Sequence, residues 1–350
     1  MKKKLTILIF LVLILVEVGC GNKSVSMTRF IVSSKEILLK TTDGGSSWTT
    51  VNSRIGNEQL SKGIVTGKLR LTKVYFIDDI NGYALGSDGT GGYNTILKTI
   101  DGGASWIDLL KHGNENLTKQ GLTSIYFNDL NVGYVLGTHG TILKTSNGGN
   151  SWTKLKTGTE DTLYSVCFTN AQTGYVVISG TGNILKTNNG GTSWSLLNCA
   201  KDDISQSIYN ELESVFFTDL NTGYAVGEKE KRYAENGYSR VILKTTDGGA
   251  TWNDLLKSEE NNEKIERLHS LFFIDSNIGY VCSSNGNLLK TTDGGITWTE
   301  NGVGEWLVLV YFFDENTGYV IESDGRILNT TDGGDTWNLA SILSNKNTAE

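Results

Sequence analysis

The nine residues Lys290-Thr-Thr-Asp-Gly-Gly-Ile-Thr-Trp298 recur, with small changes, six more times in this chain of 350 residues. The other copies are Lys40–Trp48, Lys98–Trp106, Lys144–Trp152, Lys186–Trp194, Lys244–Trp252 and Asn329–Trp337. The fourth position is Asp43, Asp101, Asn147, Asn189, Asp247, Asp293 or Asp332, and the last is Trp48, Trp106, Trp152, Trp194, Trp252, Trp298 or Trp337. Seven of the eight tryptophans are therefore used by one phrase, spaced 39 to 58 residues apart. A fixed phrase at that period is the mark of a repeat architecture.

A second phrase precedes the first in six of the seven units, as in Val215-Phe-Phe-Thr-Asp-Leu-Asn-Thr-Gly-Tyr-Ala-Val-Gly227. It reads as strand, tight Asp/Asn/Gly turn, strand. The apolar pair and Lys-Thr that open the Trp phrase form a third strand, and the residues after the Trp a fourth. Four antiparallel strands (A to D) repeated seven times predict an all-β chain, a seven-bladed β-propeller. The Asp/Asn-Gly-Gly turn suits a tight C–D hairpin, because Gly takes positive φ freely and the Asp or Asn can accept backbone N–H bonds.

Offsets divide the blade into two ends. From the Phe closing strand A to the Tyr opening strand B is seven residues in all six units, for example Phe76 to Tyr83 and Phe312 to Tyr319. From the third-strand Lys (or Asn329) to the Trp is eight in all seven. The B-to-C offset, by contrast, runs from ten residues (Tyr134 to Lys144) to twenty (Tyr224 to Lys244). In an up-and-down meander the constant turns share one face and the variable loops the other, and binding surfaces are built on variable loops.

The first unit is incomplete, since Phe30 takes the Tyr position and no apolar strand precedes it. Blade 1 is expected to have three strands, or to be patched by Ser24–Thr28, giving 27 strands in all. Ahead of it, Lys2, Lys3 and Lys4 precede the apolar run Leu5–Val16, the pattern of a signal peptide over residues 1–19. Gly19-Cys20 resembles the cleavage point of bacterial lipoproteins, which implies lipidation of Cys20, although Glu17 departs from the small or aliphatic residue of that pattern. The expected boundaries are a short tether at 20–28, the propeller at 29–342 and a tail at 343–350.

A net charge of −7 leaves no basic footprint for nucleic acid. Cys20, Cys167, Cys199 and Cys282 have neither disulfide-framework nor zinc-ligand spacing, and Cys167 and Cys282 read as small buried hydrophobes. His112, His139 and His269 share no ligand spacing, so neither a metal nor another cofactor is expected.

The Trp phrase is the Asp-box of sialidases and other propellers. Taken with F-x-D-x-N-x-G-Y, it resembles the photosystem II stability and assembly factor family over roughly residues 29–340, with Tyr where many members have Trp after the Gly. That resemblance implies a binding role: an extracytoplasmic, lipid-anchored scaffold for a protein partner, expected to be monomeric and to touch the membrane only through its lipid. The alternative is a glycan-binding propeller or a glycoside hydrolase. Against the enzyme, the chain has only seven arginines and no proline, so it lacks the Arg-Ile-Pro signature of sialidases.

Strand A is innermost and begins on the variable face, so residues six before its Phe should ring the channel mouth: Arg70, Gly121, Thr162, Glu211, Arg267 and Trp306. Four before stand Thr72, Thr123, Tyr164, Glu213, His269 and Val308. From these, Arg70, Glu211, Arg267, His269 and Trp306 are candidate partner contacts. The longest B–C loop, Glu228–Arg240, adds Lys229, Lys231, Arg232, Tyr233, Tyr238 and Arg240.

Overall fold

A computed structural model describes residues 27–33, 37–51, 54–55, 70–87, 94–110, 121–199, 210–230, 238–256 and 266–343. They form twenty-nine strands and no helix, arranged as seven blades. Six blades start from an inner strand A: β5 (Arg70–Phe76), β9 (Leu122–Phe127), β13 (Leu163–Phe168), β17 (Asn210–Phe217), β21 (Leu268–Phe273) and β25 (Leu307–Phe312). Each is followed outward by B, C and D in antiparallel order.

The expected faces are present. The C–D turn is tied to the A–B turn of its own blade, with Gly102 N donating to Ile80 O and Gly148 N to Asn131 O, both at 2.9 Å. At the opposite end, Ser179 N donates to Thr162 O, Ser284 N to Arg267 O and Ser323 N to Trp306 O, all at 2.9 Å, which joins B–C to D–A connections.

Each Asp-box turn is a clasp that satisfies itself. In the first, Thr41 Oγ1 donates to Asp43 Oδ1 (2.8 Å) and accepts from Gly45 N (2.9 Å), while Ser47 donates N and Oγ to the same carboxylate at 2.9 and 2.6 Å. Gly44 and Gly45 have φ of 71° and 89°, a region side chains with a Cβ rarely enter.

The blades are joined by aromatic stacks. Tyr83 of blade 2 lies flat on Phe127 of blade 3 (3.6 Å, 11°), and Phe127 meets the edge of Trp152 (6.1 Å, 86°). The Tyr83 hydroxyl and Lys98 Nζ both donate to Gly148 O, at 3.1 and 3.0 Å. The same pair of bonds recurs at the next four junctions, on Gly190, Gly248, Gly294 and Gly333. The Phe–Gly-Tyr pattern also has a steric cause, because a Cβ on Gly133 would stand 2.4 Å from the Phe127 ring.

The closing junction, blade 7 to blade 1, differs. Blade 1 consists of β1 (Arg29–Val32), β2 (Leu38–Thr41) and β3 (Ser47–Thr50), with no described strand in the A position. Its fourth strand is β29 (Ser341–Leu343), laid parallel to β3 on the outer edge. The expected patch at Ser24–Thr28 falls mostly outside the described residues; its last two residues, Met27 and Thr28, are not in a strand. β29 also carries the propeller one residue into the expected tail. The other strand beyond 27 is β4 (Arg54–Ile55), parallel to β8 (Ser105–Asp108). With no strand A Phe among the described residues of blade 1, Trp48 meets Tyr319 directly (5.1 Å, 83°), and Arg29 lies over the Tyr311 and Phe313 rings at 4.8 and 5.1 Å. Asn329 stands where the other blades have Lys, and the buried Tyr319 hydroxyl has no hydrogen-bond partner among the described residues.

Cys199 and Cys282 are free and buried. Cys167 is buried but disulfide-bonded, which corrects its reading as a plain small hydrophobe.

Candidate functional site

Every A–B pair slips its register once, near the variable face. The register skips Thr72 in β5, Thr123 in β9, Tyr164 with Ser165 in β13, Glu213 in β17, His269 in β21 and Val308 in β25. These bulge residues are the positions four before each Phe. A bulge sets two residues against one and re-aims a side chain, so one repeated irregularity turns six side chains at the mouth. On blades 4 to 7 the bulges and the positions just before them gather Tyr164, Glu211, Glu213, Arg267, His269 and Trp306.

Trp306 Nε1 donates to His269 Nε2 at 3.2 Å, and the two rings lie nearly parallel (6.2 Å, 18°). The acceptor nitrogen fixes the tautomer, so the neutral imidazole carries its proton on Nδ1. Nδ1 faces Glu213 Oε2 at 3.8 Å, too far for a hydrogen bond, and is buried without a hydrogen-bond partner among the described residues. His269 is 2% exposed.

Arg267 pairs with Glu228 of the neighbouring blade at 2.9 Å. Glu228 lies opposite Glu211 in the β17–β18 ladder, β18 being Gly223–Glu230. Burial pushes the Glu228 carboxyl up to about 7; Arg267 opposes the shift, and Glu211, through charge and a shared hydrogen bond, adds to it with Glu213. Burial also raises the Tyr164 hydroxyl, with Glu213 and Glu211 adding to it.

The other candidates are placed differently. Arg70 opens β5 on blade 2, exposed and outside this group. Arg240 is buried in an ion pair with Glu266 (2.7 Å) and Glu300 (2.9 Å), joining blades 5 and 6, so its reading as a contact residue is corrected to a structural one. The described ends of the expected loop Glu228–Arg240 are strand, because Glu228↔Arg240, Lys229↔Ser239 and Glu230↔Tyr238 are paired. Lys229 and Tyr238 belong to that ladder, whereas Lys231, Arg232 and Tyr233 lie outside the described residues, as does Cys20. Glu228 itself was not among the expected contacts. Among the described residues no group of three or more His, Cys, Asp or Glu is placed to hold a metal ion.

The sequence profile of photosynthesis system II assembly factor YCF48 matches residues 64–159 and 150–256, more than half of the chain. The chain belongs to the YCF48 family. The structure of YCF48 bound to a D1 peptide is 18% identical to it, with a TM-score of 0.62, over 87% of this chain and 89% of that one. YCF48 from Cyanidioschyzon merolae is also 18% identical, with a TM-score of 0.62, over 89% and 92%. The GH74 xyloglucanase from Xanthomonas campestris is 11% identical, with a TM-score of 0.64, over 93% of this chain but 55% of the enzyme. At these identities the likeness shows the fold alone. A search of curated proteins finds no match.

Proposed function

We propose that this YCF48-family chain is a protein-binding scaffold that docks its partner on the variable-face mouth of blades 4 to 7. The observation that carries this reading is the register slip, which brings aromatic and charged side chains of four blades to one sector. Family membership supports a binding role, and one structural relative is described as bound to a peptide of D1. Capture of an envelope partner by the mature protein tests it. Trp306→Ala and Arg267→Ala should lose the partner, while Asp78→Asn on the clasp face should keep it; capture indifferent to both mouth variants would sink the reading.

The proposal includes an extracytoplasmic location and a lipid on Cys20. Met27 supports a definite orientation, since its Sδ lies 3.4 Å from where a Cβ on Gly44 would be, on the clasp face. Residues 20–26 reach about 25 Å at most when extended, so an anchor at Cys20 draws the clasp face to the bilayer and leaves the mouth pointing away. Cys167 is disulfide-bonded while Cys199 and Cys282 are free, so the lipid and that disulfide compete. Mass spectrometry of the mature protein should find a lipid thioether on Cys20 and a reduced Cys167 thiol; a Cys20–Cys167 disulfide would refute the anchor.

One observation favours a second reading, catalysis on glycans: Glu228 is a carboxyl protonated near neutral pH beside another carboxyl, as a glycosidase acid must be. Its side chain is only 4% exposed and held by Arg267, which leaves a sugar oxygen little access, so binding without turnover is the reading we hold. Hydrolysis of xyloglucan, β-glucan or sialosides that disappears in Glu228→Gln would replace it.

A further inference from the structure

We infer that His269 is a proton-controlled latch on Trp306: it holds the indole at the mouth while its Nε2 is bare, and lets go when acid protonates that nitrogen. This rests on the docking reading above and adds a regulation of the same site.

An indole N–H donates and cannot accept. Trp306 Nε1 lies 3.2 Å from His269 Nε2, so that nitrogen offers it a lone pair. A second proton on the imidazole has only that lone pair to occupy, since Nδ1 carries the first. Two N–H groups would then point at each other, and the bond that holds the indole would be lost. Trp306 is only half-buried, so its ring is not sealed in place by core packing.

The other side of the imidazole supplies an independent observation. Nδ1 is buried, has no hydrogen-bond partner among the described residues, and lies 3.8 Å from Glu213 Oε2. Its N–H asks for an acceptor, and the carboxylate it faces is about 1 Å beyond a good bond. An imidazolium would close that gap, because a charge-assisted bond is shorter and stronger than a neutral one. One proton therefore breaks the bond to blade 7 and tightens the contact with blade 5.

The charged and titratable groups of every strand packed on β21 bear on this ring. Among the described residues only Glu213 comes within 4.0 Å of a His269 ring nitrogen as an ion-pair partner. Glu211 shares β17 with it, and Glu228 of β18 is paired with Arg267, the cation on the ring's own strand. The side chains of Lys229 and Glu230 on β18 lie outside the described residues, and Arg240 is held by Glu266 and Glu300. Strand β22 (Gly279–Ser283) brings Tyr280 and Cys282, and β25 brings Tyr311, all kept protonated by burial. On blade 7, Glu305 and Glu322 are paired with Arg326 at 3.4 and 2.8 Å.

A partner would read the difference. A rim tryptophan already held in place costs less to order on binding than a loose one, so the mouth should grip at neutral pH and let go in acid.

The test follows the full mature protein, labelled with 5-fluorotryptophan, by fluorine NMR from about pH 8 to about pH 5, the window in which an imidazole changes charge. Trp306→Phe assigns the resonance. The Trp306 signal should shift as pH falls while the seven Asp-box tryptophans stay still. His269→Gln, whose amide oxygen can accept from the indole but does not titrate, should abolish the shift. Glu213→Gln should move it to lower pH, because the carboxylate that favours the imidazolium is gone. Glu228 titrates in the same window, and a shift owed to it would survive His269→Gln and vanish in Glu228→Gln. Partner capture should weaken about fivefold at the acid end.

A Trp306 signal that stays still, moves only with the other seven, survives His269→Gln or is unmoved by Glu213→Gln would overturn the inference. So would capture that needs Trp306 yet does not weaken in acid. Should His269→Gln not fold, Glu213→Gln and Glu228→Gln decide. If the partner is lost on Trp306→Ala while the Trp306 signal ignores pH, the latch falls and the docking reading stands. If the signal responds while capture ignores Trp306→Ala, the docking reading falls and the latch stands.

Discussion

At the clasp face, Asp247 accepts from Thr251 N at 2.8 Å, from Thr251 Oγ1 at 2.6 Å and from Thr245 Oγ1 at 2.8 Å. At the mouth, Glu213 accepts no hydrogen bond from any described residue, and Glu228 is buried opposite Glu211. The physical outcome is opposite for the same chemical group. Hydrogen bonds from the threonines hold the Asp247, Asp293 and Asp332 carboxyls down at about 2, whereas burial lifts Glu228 to about 7. A turn that supplies its own donors can be copied seven times without reference to a partner. A mouth that leaves carboxylates short of donors holds binding potential in place of stability, as sites often do.

The scaffold side of this contrast is broken most severely by removing a stacked ring. Phe168→Ala should cost about 3–5 kcal/mol in denaturant unfolding, because Phe168 lies between Tyr134 (4.3 Å) and Trp194 (6.3 Å). A loss below about 1 kcal/mol would show that the junction stacks do not hold the disc together.

The mouth should respond in the opposite sense. Glu228 has a folded-state pKa raised from 4.5 to about 7, so the folded state holds its proton more tightly than the unfolded chain. Its stability contribution is therefore full below about 4.5 and lost as pH rises through 7. Glu228→Gln, which mimics the protonated carboxyl, should stabilise the protein by about 3 kcal/mol at pH 8, the opposing Arg267 pairing being already contained in the shift. The gain should vanish below pH 4.5. Melting curves across pH decide this, and a destabilised variant at pH 8 would contradict the crowded-carboxyl picture.

A smaller effect separates the regular junctions from the closing one. Tyr134→Phe removes the bond to Gly190 O (2.9 Å) and should cost about 1 kcal/mol. Tyr319→Phe removes a buried hydroxyl that has no partner among the described residues and should be neutral or slightly stabilising. Equal losses at the two sites would show that the closing junction is built like the others.

The smallest effect should come from Asp247→Asn. Asn147 and Asn189 already make the equivalent bonds in their own turns. The substitution should leave stability unchanged at neutral pH, and it should remove one carboxyl that titrates near 2 from the spectrum of the folded protein. Stability from these clasps is present above 3.8 and falls as pH drops through 2, so loss of the acid limb elsewhere would point away from them.

Periodic features were legible because they are local. The Phe-to-Tyr offset sets a turn, the Lys-to-Trp offset sets a hairpin, and seven repeats set the number of blades. Glu211, Arg267, His269 and Trp306 could be drawn to one rim by counting back from each Phe, since an inner strand has a fixed rise per residue. Arg240 could not be placed that way, because its partners Glu266 and Glu300 come from the next blade.

The sequence by itself determined the fold, the division of the disc into a constant and a variable face, and the ring of mouth positions, since each follows from spacing within one unit. Tertiary structure decided the ring closure and the chemistry of the site. The last strand of blade 1 comes from the far end of the chain, a contact no local spacing encodes. At the mouth, Phe217 lies opposite Gly223, and that register alone would set Glu211 against Lys229, an ordinary ion pair. The slip at Glu213 moves the pairing by one residue and sets Glu211 against Glu228. Two acids meet where the spacing promises an acid and a base, because the strand's path, and not its sequence period, fixes which side chains face each other.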